Sequence, residues 1–162
     1  DGTRRFGNGH CLPAGPLREP VGRLRDVSLC VTNGTPQAGE FGMVLVETGL
    51  CRVNAPESWA SVGSVKGETV HAVAGIGNPA RFFAQLRRLG LRVIEHPFPD
   101  HHRYTAHDIS FPDNLPVIMT QKDAVKCERF AGDQVWYLAV EARPDARVGE
   151  EVWQRLKEKL RG

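Results

Sequence analysis

The chain has 162 residues, of which 41% are hydrophobic and 25% charged, enough for one globular domain with a real core. The 21 basic and 19 acidic residues leave a net charge of only +2, so there is no strong basic field and nucleic acid is not an expected partner. No apolar run approaches the roughly 18 residues of a membrane-spanning helix. We therefore expect a soluble chain that is at most peripheral to a membrane.

The four cysteines have no tight spacing that would indicate a metal site. Isolated thiols in a reducing cytoplasm are the favoured interpretation, and a distant disulfide stays open. The chain opens with Asp1 in a loop-like stretch, which is typical of the interior of a longer protein.

The pattern before residue 68 predicts a loop and short strands. In chain order the predicted elements are a Gly- and Pro-rich loop (1–20), a short helix (21–25), a buried strand (28–33), a second strand (41–49) and a segment that pairs with it as a hairpin (51–54). We assign residues 1–67 to a connecting loop region with a β-hairpin, and residues 68–162 to an α/β lobe.

Residues 68–98 form the clearest unit in the sequence. An apolar strand at 70–75 precedes a helix that starts near Pro79 and ends at Gly90, and a second strand covers 91–96. This order predicts parallel pairing with a right-handed crossover. Further elements are a strand (116–120), a helix (122–130), a strand (134–140) and a closing amphipathic helix (149–162). The alternation predicts an α/β fold, a mostly parallel sheet with helices on both faces.

The motif Gly75-x-Gly77-x-x-Ala80 lies between a strand and a helix, and Glu95 ends the next strand. This approaches a dinucleotide-binding fingerprint, in which glycines let the backbone approach a pyrophosphate and an acid binds a ribose. Pro79 removes one backbone donor from the first helical turn. A structural turn is therefore the preferred interpretation, and a dinucleotide-binding domain of an oxidoreductase is the alternative.

Polar residues follow the later strands. The loop at 99–108 contains Asp100 and His101, for which a solvated loop, a metal site and a general base or phosphate contact are the alternatives. Lys122 and Asp123 open the helix after the next strand, where an anion could bind or Asp123 could cap the helix. In the first loop, Arg18 could offer its guanidinium to a phosphate.

Four segments in this order resemble the later half of the tetraacyldisaccharide 4'-kinase family. They are DGTRRFGNG with LPAGPLREP, VHAVAGIGNPARFF, FPDHHRYTAHD, and MTQKDAVKC with VWYLAVEA, and together they run from Asp1 to about residue 142. The sequence departs from the family's pattern at Arg5, where Gly is usual, and at Gln121, where Glu is usual. The P-loop, the Walker B-like acids and the N-terminal membrane-associated helix of the family have no counterpart in these 162 residues.

The resemblance implies a Rossmann-like C-terminal lobe of a P-loop-type kinase, which transfers the γ-phosphoryl group of ATP, with Mg²⁺, to the 4'-hydroxyl of an acylated disaccharide 1-phosphate. It implies a peripheral location at the cytoplasmic face of the bacterial inner membrane. His101 matches the family's His that pairs with an Asp of the other lobe as the base. Asp100 is the second candidate catalytic residue, either orienting the loop or taking part directly in the chemistry. We expect Asn8, Arg18, Lys122 and Asp123 to bind the lipid headgroup or its phosphates. The nucleotide would be held outside this chain, which alone is expected to be inactive.

Overall fold

The computed structural model describes residues 1–161, the last of them by its backbone alone. The chain divides into two compact units. The first unit comprises Asp1–Val46 together with the residues from Ala142 onward, and the second unit comprises Glu47–Glu141. The domain boundary predicted between residues 67 and 68 falls inside the second unit.

The predicted alternation of strands and helices is confirmed. The strands are β1 (Val31–Asn33), β2 (Phe41–Arg52), β3 (Trp59–Ala60), β4 (Thr69–Ala74), β5 (Arg92–Pro97), β6 (Val117–Thr120) and β7 (Val135–Pro144). The α-helices are α1 (Pro79–Arg88), α2 (Gln121–Ala124) and α3 (Arg147–Arg161), and short 3-10 helices cover Val21–Asp26, Val62–Val65 and Ala106–Ile109. Strands β2 and β7 run through both units.

The sheet of the second unit is mostly parallel. Strand β4 lies between β5 and β6, β6 also pairs with β7, and all three pairings are parallel. Because successive side chains of a strand point to opposite faces, Ala72 packs with Phe83 of α1 while Val73 packs with Ala124 of α2. The predicted arrangement, a mostly parallel sheet with helices on both faces, is confirmed here.

Helix α1 begins and ends where its sequence signals indicate. The Asn78 side chain accepts a hydrogen bond from the backbone N–H of Arg81, and Pro79 occupies the first helical turn. Gly90 follows with a φ of +91°, a left-handed conformation that glycine adopts without strain. The helix buries Phe82, Phe83 and Leu86 and connects the end of β4 to the start of β5.

Three predicted boundaries were wrong. Residues 51–54 do not pair with 41–49, because β2 continues to Arg52 and its antiparallel partner is β3. Helix α2 ends at Ala124 rather than near residue 130, because the following amides bond three residues back, as Cys127 does to Ala124. The first strand covers only Val31–Asn33 of the predicted 28–33.

The first unit is built mainly from loops, β1 and α3. Strand β1 pairs in parallel with the start of β2, Val31 opposite Phe41. Helix α3 was predicted for residues 149–162; it begins at Arg147, and residue 162 lies outside the described residues. All four cysteines of the chain are free thiols. Within residues 1–161, no helix has both the length and the apolar character required to cross a bilayer.

Candidate functional site

Three loops of the second unit leave the sheet at the same edge. Strands β5, β4 and β6 are parallel neighbours, so the residues that follow them, Asp100, Gly75 and Lys122, lie beyond adjacent carboxyl ends. Open α/β sheets bind their ligands at this edge. A methyl group placed on Gly77 would lie 3.8 Å from an Asp100 carboxylate oxygen, so the loops after β4 and β5 are in contact.

Asp100, His101 and Lys122 form the exposed centre of this edge. Lys122 Nζ donates a hydrogen bond of 3.0 Å to Asp100 Oδ1. The second carboxylate oxygen of Asp100 lies 3.7 Å from His101 Nε2. The His101 side chain is 79% exposed, so its imidazole is available to a ligand in solution. The hydrogen bond from Lys122, with the nearby positive groups, holds the pKa of Asp100 below its ordinary value.

Asp123, beside Lys122, is fully buried, and both of its carboxylate oxygens accept hydrogen bonds. Its Oδ2 accepts hydrogen bonds from the Gly75 backbone N–H at 2.9 Å and from the Thr120 hydroxyl at 2.7 Å. Its Oδ1 accepts one from Lys126 Nζ at 2.9 Å. Asp123 thus joins the loop after β4 to the loop after β6. These contacts give it a positioning role, and its predicted contact with substrate stays a prediction.

The turn at Gly75 leaves no space for a larger residue. A Cβ atom added there would lie 2.6 Å from the Tyr104 hydroxyl and 3.2 Å from the Pro99 carbonyl oxygen. The Tyr104 hydroxyl is buried and has no hydrogen-bond partner within residues 1–161. Burial, with the negative charge of Asp123, raises the pKa of this phenol. Tyr104 was not predicted as a neighbour of this turn, because nothing in its sequence spacing links it to Gly75.

The two adjacent histidines have different environments. His102 packs between Phe98 and Tyr104, with ring centroids at 4.5 and 4.8 Å, and its Nε2 lies 3.4 Å from Asp108 Oδ2. Hydrogen bonds from Thr105 hold the pKa of Asp108 below its ordinary value. His102 therefore contributes to the packing of the loop, whereas His101 is presented to solvent.

Asn8 and Arg18, the other predicted substrate contacts, belong to the first unit. The Asn8 side chain donates to the Ala14 carbonyl oxygen at 2.9 Å and accepts from the His10 backbone N–H at 3.2 Å, so it shapes the loop. Arg18 is exposed. Arg5 has a φ of +49°, a left-handed conformation that glycine adopts most readily, and its guanidinium pairs with Glu40.

The second unit contains another polar cluster, which no sequence pattern predicted. The buried His71 lies 2.9 Å from Asp113 through Nε2 and 2.9 Å from His96 Nε2 through Nδ1. Its ring stacks on Phe111 with centroids 3.8 Å apart. Burial and the neighbouring His71 lower the pKa of His96. These residues are up to 42 positions apart, so only the fold brings them together.

Comparison with known proteins gives one consistent result. A family model described as tetraacyldisaccharide-1-P 4'-kinase matches residues 1–160. The tetraacyldisaccharide 4'-kinase of Nitrosococcus oceani is 50% identical over 98% of this chain, and that of Methylobacillus flagellatus is 51% identical over 96%. The matches cover 46% and 47% of those relatives, so the chain spans about half the length of the curated relatives it matches.

The fold has a solved counterpart. The crystal structure of the "apo" form of LpxK from Aquifex aeolicus in complex with ATP resembles this chain with a TM-score of 0.68 at 24% identity. The resemblance covers 89% of this chain and 47% of that one, and it supports the α/β architecture. The sequence match along almost the whole chain identifies the family: the chain belongs to the tetraacyldisaccharide-1-P 4'-kinases.

Proposed function

We propose that this chain supplies the acceptor side of an ATP-dependent kinase that phosphorylates the 4'-hydroxyl of tetraacyldisaccharide 1-phosphate, forming lipid IVA in lipid A biosynthesis. The relatives' names support the reaction. The observation that carries the proposal is the exposed His101 imidazole beside the Asp100 carboxylate, at the carboxyl edge of the parallel sheet.

His101 is the proposed general base. A sugar hydroxyl is a weak nucleophile until its proton has an acceptor, and an imidazole accepts one near neutral pH. The proton moves from the 4'-hydroxyl to the His101 ring as the hydroxyl oxygen bonds to the γ-phosphorus and the bond to the departing ADP oxygen breaks. Asp100, 3.7 Å from the ring, stabilises the imidazolium that forms.

The remaining acceptor contacts are proposed for the first unit. Arg18 offers an exposed, planar guanidinium that suits a phosphate such as the 1-phosphate of the acceptor. Asn8 fixes the loop that precedes Arg18, since its amide bonds the backbone of His10 and Ala14. Because the acceptor is acylated, we also propose that the whole protein associates peripherally with the cytoplasmic face of the inner membrane.

The proposed reaction uses ATP and Mg²⁺, but the residues of this chain do not fit a binding site for either. No GxxxxGK[ST] sequence occurs in the 162 residues, and within residues 1–161 no three acidic, His or Cys side chains are grouped as metal ligands. The solved relative was crystallised with ATP and is about twice as long as the match. We assign nucleotide and metal binding to the part of the whole protein that corresponds to the rest of the relatives.

The dinucleotide-binding alternative is not favoured by the geometry. The Gly75 backbone N–H, which a pyrophosphate would need, already donates to the buried Asp123 carboxylate. That negative charge would repel a phosphate. Glu95, the candidate ribose acceptor, forms an ion pair with Arg87 of α1. Gly75 therefore serves a tight structural turn.

Phosphate transfer and cofactor titration test the two functions. With labelled ATP, the whole enzyme is expected to phosphorylate the disaccharide acceptor, and the 162-residue chain alone is expected to show no turnover. Titration of the chain with NAD(H) and NADP(H) is expected to give no saturable binding. Turnover by the chain alone would contradict the assignment of ATP elsewhere. Saturable dinucleotide binding that Gly77→Val abolishes would favour the oxidoreductase alternative.

A further inference from the structure

Lys122 contacts the Asp100 carboxylate rather than open solvent alone. Its Nζ donates to Asp100 Oδ1 at 3.0 Å, and both side chains are about half exposed. A lysine held only for a substrate phosphate needs no such partner. Through this contact Lys122 can act on Asp100 as well as on a ligand.

The same carboxylate fixes His101. Asp100 Oδ1 also accepts the His101 backbone N–H at 3.0 Å, and Oδ2 lies 3.7 Å from His101 Nε2. His101 has a φ of +62°, a left-handed conformation that is uncommon for a residue other than glycine. Such a conformation persists only where its surroundings hold it, and here Asp100 provides the hydrogen bond. Lys122 thus binds the group that orients His101.

The backbone that carries Lys122 is itself anchored. The Thr120 side chain accepts a hydrogen bond from the Asp123 N–H at the start of α2, and the Asp123 carboxylate is buried against Gly75 and Lys126. Lys122 therefore extends from a fixed point in α2 to the loop after β5. Its ammonium group is a defined restraint on that loop.

We infer that Lys122 is a positioning residue that acts on His101 through Asp100, and that this is its main role rather than a contact with a substrate phosphate. The inference rests on the proposed function, in which His101 is the base. The ammonium group also partly neutralises Asp100. Without it, the Asp100 carboxylate loses a hydrogen bond that holds it in place beside His101.

Kinetics of the whole enzyme separate the two roles of Lys122. In Lys122→Met we expect kcat to fall about tenfold, because a misplaced base loses part of its orientation. The acceptor KM is expected to stay within about twofold, because Lys122 does not contact the substrate in this account. Lys122→Arg, which keeps a cation, should restore most of kcat. Lys66→Met, a matched change at an exposed lysine outside the site, is expected to match the parent.

A double variant tests the route through Asp100. If Lys122 acts on His101 only through this carboxylate, Lys122→Met should lower kcat by less than about twofold further in an Asp100→Asn background. Losses that multiply would overturn the inference. So would a large rise in the acceptor KM with kcat unchanged, since that result indicates that Lys122 contacts the substrate.

His101→Ala separates failure of this inference from failure of the proposed function. If His101→Ala loses activity while Lys122→Met changes only the acceptor KM, the base assignment stands and the positioning role is wrong. If His101→Ala keeps full kcat and an unchanged pH profile, the base assignment is wrong, and the positioning role falls with it. Thermal unfolding midpoints of all variants show whether a loss of kcat reflects folding.

Discussion

Helices α1 and α3 have similar amphipathic sequences and very different surroundings. Helix α1, in the second unit, buries Phe82, Phe83 and Leu86 against the sheet. The apolar side of α3, in the first unit, is exposed, with Leu156 at 48% and Leu160 at 83%. An amphipathic pattern thus predicts a helix with one apolar side, but it does not predict what covers that side.

The same contrast holds for the two units as wholes. Among the described residues, every buried hydrophobic side chain lies between Leu50 and Ala139, inside the second unit. Most of the exposed large hydrophobic residues belong to the first unit: Leu12, Val21, Leu24, Val27, Val31, Val44, Leu45, Val152, Trp153, Leu156 and Leu160. The second unit is therefore stabilised mainly by its core, and the first by its loop hydrogen bonds and ion pairs.

Truncating one leucine in each helix should give the largest difference between the units. Leu86→Ala in α1 removes a fully buried side chain and is expected to cost about 2–5 kcal/mol of unfolding free energy. Leu156→Ala in α3 makes the same chemical change at a half-exposed site and is expected to cost about 0.5 kcal/mol or less. Urea unfolding of the chain followed by circular dichroism measures both.

Equal losses at the two positions would contradict the comparison, because they would mean that the apolar side of α3 is covered in solution. A small loss at both would instead mean that the core of the second unit repacks around the space left by Leu86.

The ion pair between Arg5 and Glu40 should contribute less to the free energy of unfolding than the Leu86 side chain does, and its effect should be confined to the first unit. Hydrogen bonds from Arg5, with those from Gln37 and Thr32, lower the pKa of Glu40 from 4.5 to about 2. A carboxyl group with a lowered pKa stabilises the fold above its ordinary pKa, and this contribution is lost as the pH falls from about 4.5 towards 2.

Carboxyl ¹³C shifts followed through an acid titration measure this directly. Glu40 is expected to titrate near pH 2 in the parent chain and closer to its ordinary value in Arg5→Met. Arg4→Met, the same change one residue earlier, should leave the Glu40 midpoint where it was. A Glu40 midpoint near 4.5 in the parent chain would contradict the ion pair.

Local signals predicted the second unit well. Pro79 and Gly90 mark the ends of α1, because the backbone preferences of proline and glycine follow directly from the residue type. The sequence predicted that Asp100 and Lys122 each follow the end of a strand, where open α/β sheets bind their ligands. Their mutual contact was not predicted, because it depends on the path of two loops that are 22 residues apart. Asp123 was predicted either to cap the helix or to contact the substrate, and its burial was not predicted because burial depends on tertiary packing.

Comparing His101→Ala with His102→Ala in the whole enzyme tests the central claim most directly. His101 is 79% exposed and beside Asp100, whereas His102 is packed between Phe98 and Tyr104. We expect His101→Ala to lower kcat by roughly 10²–10⁴-fold, the usual range for a general base, with the KM for ATP almost unchanged. His102→Ala should lower kcat far less and act mainly on the stability of the loop. A large loss of kcat in His102→Ala, with kcat unchanged in His101→Ala, would contradict the assignment of the base.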